Sequence, residues 1–318
     1  MRHLDVGADD EAVRLDRWLR RLLPDVPYGQ LAKWLRTGQI RVDGKRAKPG
    51  QRLSEGQSVR LPPINLPDAP PRTVAAVAPA DAADLQARVL YRDDAIIALN
   101  KPSGLAVQGG SKTPRHLDGM LEALRFDAAE KPRLVHRLDK DTSGVLLLAR
   151  SAATARQLTR QFRDHDVVKT YWALVAGVPS PREGQIDLPL AKTPGQGGEK
   201  VRPAKEDGQS AITRYAIVEQ AGQRAAWLTM NPLTGRTHQL RVHCTVLGTP
   251  IVGDGKYGGA EAFIAGLSNK LHLHARSVTF PHPVTGARMD IVAPLSGHCA
   301  ESWAKLGFTA ENGDSRPL

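Results

Sequence analysis

Apolar residues recur at helical spacing at Leu15, Trp18, Leu19 and Leu22, and again at Leu31, Trp34 and Leu35 after Pro24 and Pro27 interrupt the chain. Two short helices are predicted there. From Gln39 to Lys45 the pattern changes to alternation, with Asp43-Gly44 as a hairpin turn, and Ser58–Leu61 supplies a closing strand. Residues 62–84 carry Pro, Ala and Asp without an apolar period, the signature of a semi-extended linker that lets the first module reposition. Beyond it, short apolar runs dominate. Ala95–Leu99, Val145–Ala149, Val167–Val175, Ala211–Val218 and Ala225–Met230 read as strands, with Leu271–Ala275 and Ala287–Val292 after them. Ser151 caps a helix running to about Phe162, and Leu240, Cys244 and Leu247 line one face of another after the turn at Pro232–Gly235. Strands outnumber helices and follow in hairpin order. The expected fold is α+β, a largely antiparallel sheet over residues 85–318, preceded by a small module of helices and a β-hairpin at 1–61.

Composition narrows the class. The 318 residues carry 44 Lys and Arg against 33 Asp and Glu, a formal charge of +11 that favours a polyanionic partner. Lys33, Arg36, Arg41, Lys45 and Arg46 crowd one end of the first module and are its candidate RNA contacts. Apolar runs are broken by Arg or Gly within about ten residues, short of a membrane span. The N-terminus, with Arg2, His3 and Asp5, lacks a secretory apolar core, and Cys244 and Cys299 form no Cys-x-x-Cys pair. The expectation is a cytoplasmic monomer.

The candidate chemistry centres on residues 136–149. Asp139 lies among His136, Arg137 and Lys140, just before Thr-Ser-Gly and a dry strand. Either Asp139 is a turn-former in a solvated loop, or the turn belongs to Asp141 and Asp139 is left as an ionised acid among cations. An ionised carboxylate there suits a nucleophile, or a base for a proton that the reaction activates. A second constellation, Asn231–His243, passes from strand to Gly turn to helix. Thr234 or Thr237 could cap that helix, Arg236 beside its N-terminus makes a phosphate site, and Arg241 could reach inward to a carboxylate as a bidentate partner. The same arginines could equally form a solvated helix face. Tyr171 and Trp172 must point to opposite faces of their strand, so one can pack the core while the other stacks on a base. His238 and His243 stand about 140° apart on a helix, and His272 and His274 lack a third ligand, so no metal site is expected.

The motifs His136–Gly144, Lys169-Thr-Tyr, Pro232–His243 and Leu273-His-Ala together resemble the RluA/RluC-type family of RNA pseudouridine synthases over about residues 88–293. Residues 14–61 are similar to the small RNA-binding domain named after the fourth small-subunit ribosomal protein. The resemblance implies a pseudouridine synthase fold and Asp139 as the catalytic aspartate. It also implies that Tyr171 stacks on the target uracil, that Arg241 pairs with Asp139, and that Arg137 fills the space of the flipped nucleotide. His136 and Arg236 are further expected RNA contacts, with Leu240 supporting the site. The segment Lys101–Gly110 is most like the subgroup acting on large-subunit ribosomal RNA, although Gln108 stands where His is expected. Uridine isomerisation oxidises and hydrolyses nothing, so no cofactor is expected, in keeping with a sequence that has neither dinucleotide fingerprint nor P-loop. Two competing readings remain at this point: a non-catalytic ribosomal-RNA-binding or assembly factor, and a metal-assisted hydrolase, for which the carboxylate cluster is missing.

Overall fold

The computed structural model describes residues 2–7, 10–23, 26–63, 77–109, 113, 115–193 and 200–315. The chain divides into two compact units, Met1–Ala76 and Val77–Leu318.

In the first unit, β1 (Arg2–Asp5) precedes helices α1 (Leu15–Leu22) and α2 (Tyr28–Arg36), followed by β2 (Arg41–Val42), β3 (Lys45–Arg46) and β4 (Ser58–Leu61). The sheet order is β1-β4-β2-β3. Leu15, Trp18, Leu19, Leu31 and Leu35 meet Ile40, Val59 and Leu61 in its core, whereas Leu22, the fourth member of the first apolar stripe, is exposed. Asp43 and Gly44 both have positive φ, as a two-residue hairpin turn with the twist of its strands requires. The Asp43 carboxylate accepts the backbone N–H of Ser58 at 2.8 Å and so ties the turn to β4.

The second unit opens with a helix, α3 (Pro79–Ala87), where the composition suggested extended linker as far as residue 84. Pro79 in its first turn is pre-set for a helix, and the single buried Leu85 supplies too little apolar signal for periodicity to register. Residues 64–76 of the expected linker lie outside the described residues. There follow β5 (Val89–Arg92), β6 (Ile96–Lys101), α4 (Leu117–Met120), β7 (Arg133–Leu134), β8 (Ser143–Ala149), α5 (Ala152–Asp164) and β9 (Val168–Ala176). Next come β10 (Glu183–Asp187), β11 (Leu190–Thr193), β12 (Lys200–Pro203), β13 (Ile212–Ala221), β14 (Ala225–Pro232) and α6 (Gln239–Val246). The chain closes with β15 (Leu273–Pro281), β16 (Arg288–Val292), α7 (Gly297–Lys305) and α8 (Ala310–Asp314).

Ten strands form one sheet in the order β10-β13-β14-β9-β15-β8-β6-β5, with β16 on β15 and β7 on β8. Among these pairings only β15 and β8 run parallel. That junction joins two antiparallel halves, and apolar layers cover both faces of each half. Ile97, Leu99, Leu146 and Leu148 pack on one face of the β6–β8 half, with Ile96, Ala98, Val145 and Leu147 on the other. Trp172, Trp227 and Trp303 form a T-stacked cluster with centroids 4.7 and 5.9 Å apart, which anchors α7 to the second half. Among the described residues no helix is long and apolar enough to cross a membrane.

Candidate active site

The parallel junction sets the site. Gly144 of β8 lies opposite Ala275 of β15, Ala275 opposite Tyr171 of β9, and Tyr171 opposite Met230 of β14. Two strand spacings, about 10 Å, therefore separate the start of β8 from Tyr171. Gly144 is needed for this approach: its φ is +108°, and a Cβ would sit 2.2 Å from the Ala275 carbonyl oxygen. Ser143 and Gly144 are thus the entry of a buried strand. The loop before β8, Tyr171, the end of β14 and the start of α6 line one cleft of about 610 Å³.

Asp139 sits in that loop with its side chain 27% exposed. Three consecutive backbone carbonyls there are tied. Thr142 N–H donates to the Asp139 carbonyl at 3.2 Å, Gly104 N–H to the Lys140 carbonyl at 2.9 Å, and the Ser103 hydroxyl to the Asp141 carbonyl at 2.8 Å. Beneath them the fully buried Lys101 ammonium donates to the carbonyls of Pro102, Leu105 and Lys140 at 2.9, 2.9 and 3.0 Å, using all three of its donors. Burial pushes Lys101 down to about 7, opposed by the charges of Asp141 and Asp139. Asp141 does not cap the turn with its carboxylate, as the sequence suggested; that side chain is exposed and the closure is backbone. Among the described residues no hydrogen bond reaches the Asp139 carboxylate, whose nearest basic neighbours are Arg241 Nη1 and His238 Nε2, both 3.9 Å from Oδ2.

Arg241 does not make its bidentate pair with Asp139. Its Nε and Nη2 donate to Asp254 Oδ2 and Oδ1 at 2.7 and 2.6 Å, deep in the protein. Asp254 is shielded from water and can meet the guanidinium fork squarely, whereas Asp139 lies on the open side, facing only Nη1. Burial alone would lower the Arg241 pKa, but the hydrogen bonds and charge of Asp254 outweigh it and raise the value. Tyr257 completes the wall: its ring lies 5.0 Å from the Arg241 guanidinium and its hydroxyl 2.6 Å from His238 Nδ1. Burial lowers the His238 pKa, partly offset by Asp139.

His136 is not one of the cations around the acid. Its Nε2 accepts the backbone N–H of Leu147 at 2.8 Å, its ring stacks on Phe162 at 4.3 Å, and burial next to Lys169 pushes its pKa down to about 3. It is a neutral strut with one edge on the cleft. Arg137 is exposed at the cleft wall. Leu240 is buried in α6 against the layer that Tyr171 joins, and both line the cleft. Burial and the charge of Asp139 push the Tyr171 phenol up, so it stays protonated.

Helix α6 begins differently from the expectation. His238, with φ +54°, occupies the cap position, and neither threonine caps. Instead the Gln239 amide oxygen accepts Arg236 N–H at 3.0 Å and the Thr234 hydroxyl at 2.7 Å, while its nitrogen donates to Ile212 O and Thr213 Oγ1, both at 2.9 Å. Arg236 is exposed and donates to the Ser210 carbonyl at 2.9 Å. His272 immediately precedes β15 and His274 lies within it. Both rings have both nitrogens engaged, by Val252 O and Ser302 Oγ, and by Ser143 Oγ and Ala293 O.

In the first unit Lys33, Arg36, Arg41, Lys45 and Arg46 are all exposed. Arg46, Arg41 and Arg60 stand side by side across β3, β2 and β4. Like charges directly opposed in a sheet destabilise it, so this face is suited to an anion.

Sequence reasoning missed Asp254, Tyr257, Lys101 and Gln239. The one available signal for Asp254 was an acid inside Val252-Gly-Asp-Gly, which reads equally well as a turn.

With that geometry in hand, residues 95–245 match the RNA pseudouridylate synthase family model and residues 13–59 the S4 domain model. The chain is 39% identical to the ribosomal large subunit pseudouridine synthase C of Vibrio vulnificus (strain CMCP6), over 92% of each chain. It is 40% identical to the protein of the same name from Escherichia coli (strain K12), over 91% of this chain and 92% of that one. The solved structure of Human RNA Pseudouridylate Synthase Domain Containing 4 superposes with a TM-score of 0.60 at 30% identity, covering 71% of this chain and 95% of that one.

Proposed function

The chain belongs to the RNA pseudouridylate synthase family, and we propose that it isomerises uridines of large-subunit ribosomal RNA with Asp139 as the reacting carboxylate. One observation carries the assignment of the acid: Asp139 alone in the cleft has a carboxylate committed to no hydrogen bond among the described residues, while the carbonyls of residues 139–141 are each hydrogen-bonded. The large-subunit target rests on the relatives of about 40% identity, whose names specify that RNA.

The reaction conserves every atom. The bond from N1 to ribose C1′ breaks, the uracil turns, C5 bonds to C1′, and the C5 proton leaves as N1 gains one. The uridine must first leave its stack, at a cost of a few kcal/mol. Tyr171 then receives the uracil face, and stacking returns about 1–3 kcal/mol. Asp139 meets the sugar edge, either attacking C1′ or taking the 2′ proton. Arg241, fixed by Asp254, holds its third nitrogen toward the acid and steadies its negative charge. Arg137 enters the gap left in the RNA, Leu240 packs beneath the base, and Arg236 and the exposed cations of the first unit take phosphates.

The test is Asp139→Asn in the full chain. RNA binding should persist while conversion of uridine falls below detection. Conversion at the parental rate in this variant would remove Asp139 from the reaction. Binding of ribosomal RNA by the parent protein with every uridine unchanged would favour an assembly factor instead.

A further inference from the structure

Lys169 is a cation that the reaction scheme above leaves without a task. It lies two residues before Tyr171 on β9, so both side chains project from the same face, about 7 Å apart along the strand. Both line the cleft, and Lys169 is half-buried there. Among the described residues its ammonium has neither a carboxylate within 4.0 Å nor a carbonyl accepting from it. Its backbone carbonyl accepts from Asn231 Nδ2 at 2.9 Å. Its neighbour His136 is a neutral ring. The C-terminal end of α5 nearby is closed by His165, whose backbone N–H bonds to Gln161 O. Lys169 is therefore not a helix cap.

A partly dehydrated ammonium with no counter-charge is unfavourable in the free protein. Burial accordingly holds the Lys169 pKa below the ordinary lysine range. Such a group is tolerated where an anion arrives with the substrate, and the anions a single RNA strand carries are its phosphates. We propose that Lys169 binds a backbone phosphate flanking the extruded uridine, and so positions the ribose against Asp139 while the base stacks on Tyr171. This rests on the assignment of Tyr171 and Asp139 above.

The experiment uses the full chain and a synthetic RNA spanning a mapped target uridine, with Lys169→Gln and Lys169→Arg. The glutamine variant should raise KM by about 10- to 150-fold, more than it lowers kcat, since a charge-assisted hydrogen bond is worth about 1.5–3 kcal/mol. Its plot of log(kcat/KM) against log[salt] should be flatter by about 0.7, the value for one contact to a single strand. The arginine variant should restore both. The glutamine variant should also melt no lower than the parent, because it removes an unpaired charge; a packing role would lower the melt. Single methylphosphonate links then locate the contact: at one position beside the target the Lys169→Gln penalty vanishes, and elsewhere it persists. Equal salt slopes, or a penalty that no neutralised phosphate removes, would overturn the proposal. Asp139→Asn in the same series separates the two ideas. If that variant still converts uridine, the acid is misassigned, while the coupling of Lys169 to one phosphate is still read from binding.

Discussion

Replacing Asp254 with asparagine tests whether Arg241 is positioned by one acid in order to serve another. The parent pair has two short bonds, 2.7 and 2.6 Å, between groups almost entirely shielded from water. Asparagine keeps one acceptor oxygen and turns an amide N–H toward the guanidinium, leaving a buried charge uncompensated. Breaking such a pair costs about 3–5 kcal/mol. At about 2–4 °C per kcal/mol for a domain of this size, the melting temperature should fall by roughly 6–20 °C. A second effect falls on the reaction. Unit charges about 4 Å apart near a protein surface attract by about 4 kcal/mol. Arg241 Nη1 already stands 3.9 Å from Asp139, so a released guanidinium turns toward it and occupies the acid. A misplacement of about 1 Å costs on the order of 100-fold in rate, the decrease expected in single-turnover formation of pseudouridine at saturating RNA. The double variant Arg241→Leu with Asp254→Leu should recover much of the melt, because an apolar pair removes the buried charges. It should recover none of the turnover. An Asp254→Asn protein that melts within about 2 °C of the parent and turns over at its rate would refute the reasoning.

Three further outcomes are expected. Gly144→Ala places a Cβ 2.2 Å from Ala275 O at φ +108°, so it should cost more than about 4 kcal/mol by denaturant unfolding; a parental midpoint would contradict the role of the parallel junction. Lys101→Met strips the carbonyls of Pro102, Leu105 and Lys140 of a donor. It should cost about 2–4 kcal/mol and speed amide exchange at Gly104 and Thr142, and unchanged exchange there would free the Asp139 loop from Lys101. His272 and His274 are pushed by burial down to about 4. The unfolded chain then binds more protons between its ordinary value of about 6.5 and 4, so stability falls as pH falls through that window, by up to about 3 kcal/mol for each ring. Denaturant midpoints at pH 7.5 and 4.5 measure this, and His274→Asn should flatten the profile; equal midpoints in the parent would exclude neutral buried rings.

Much of the candidate site is legible in the sequence. Asp139, Tyr171 and Arg241 stand in segments whose residue types and order carry their chemistry, and the strand alternation separates Tyr171 from Trp172 without further information. His136 reads as a cation beside an acid because sequence proximity suggests spatial proximity, yet its ring turns inward to Leu147 N–H and Phe162. Arg241, which the resemblance pairs with Asp139, keeps Nη1 3.9 Å from that acid but gives its bidentate contact to Asp254, 13 residues on.

Period and charge are local properties, so the chain by itself determined four of its helices, most of its strands and its basic character, and it singled out Asp139 as the candidate acid. Which strand runs beside which is not local. The parallel pairing of β8 with β15 joins residues 131 apart, His274 with Ser143, and it alone brings the Asp139 loop to Tyr171. Partner choice among buried charges is likewise not local, because only the folded core decides which carboxylate loses its water and must take the guanidinium.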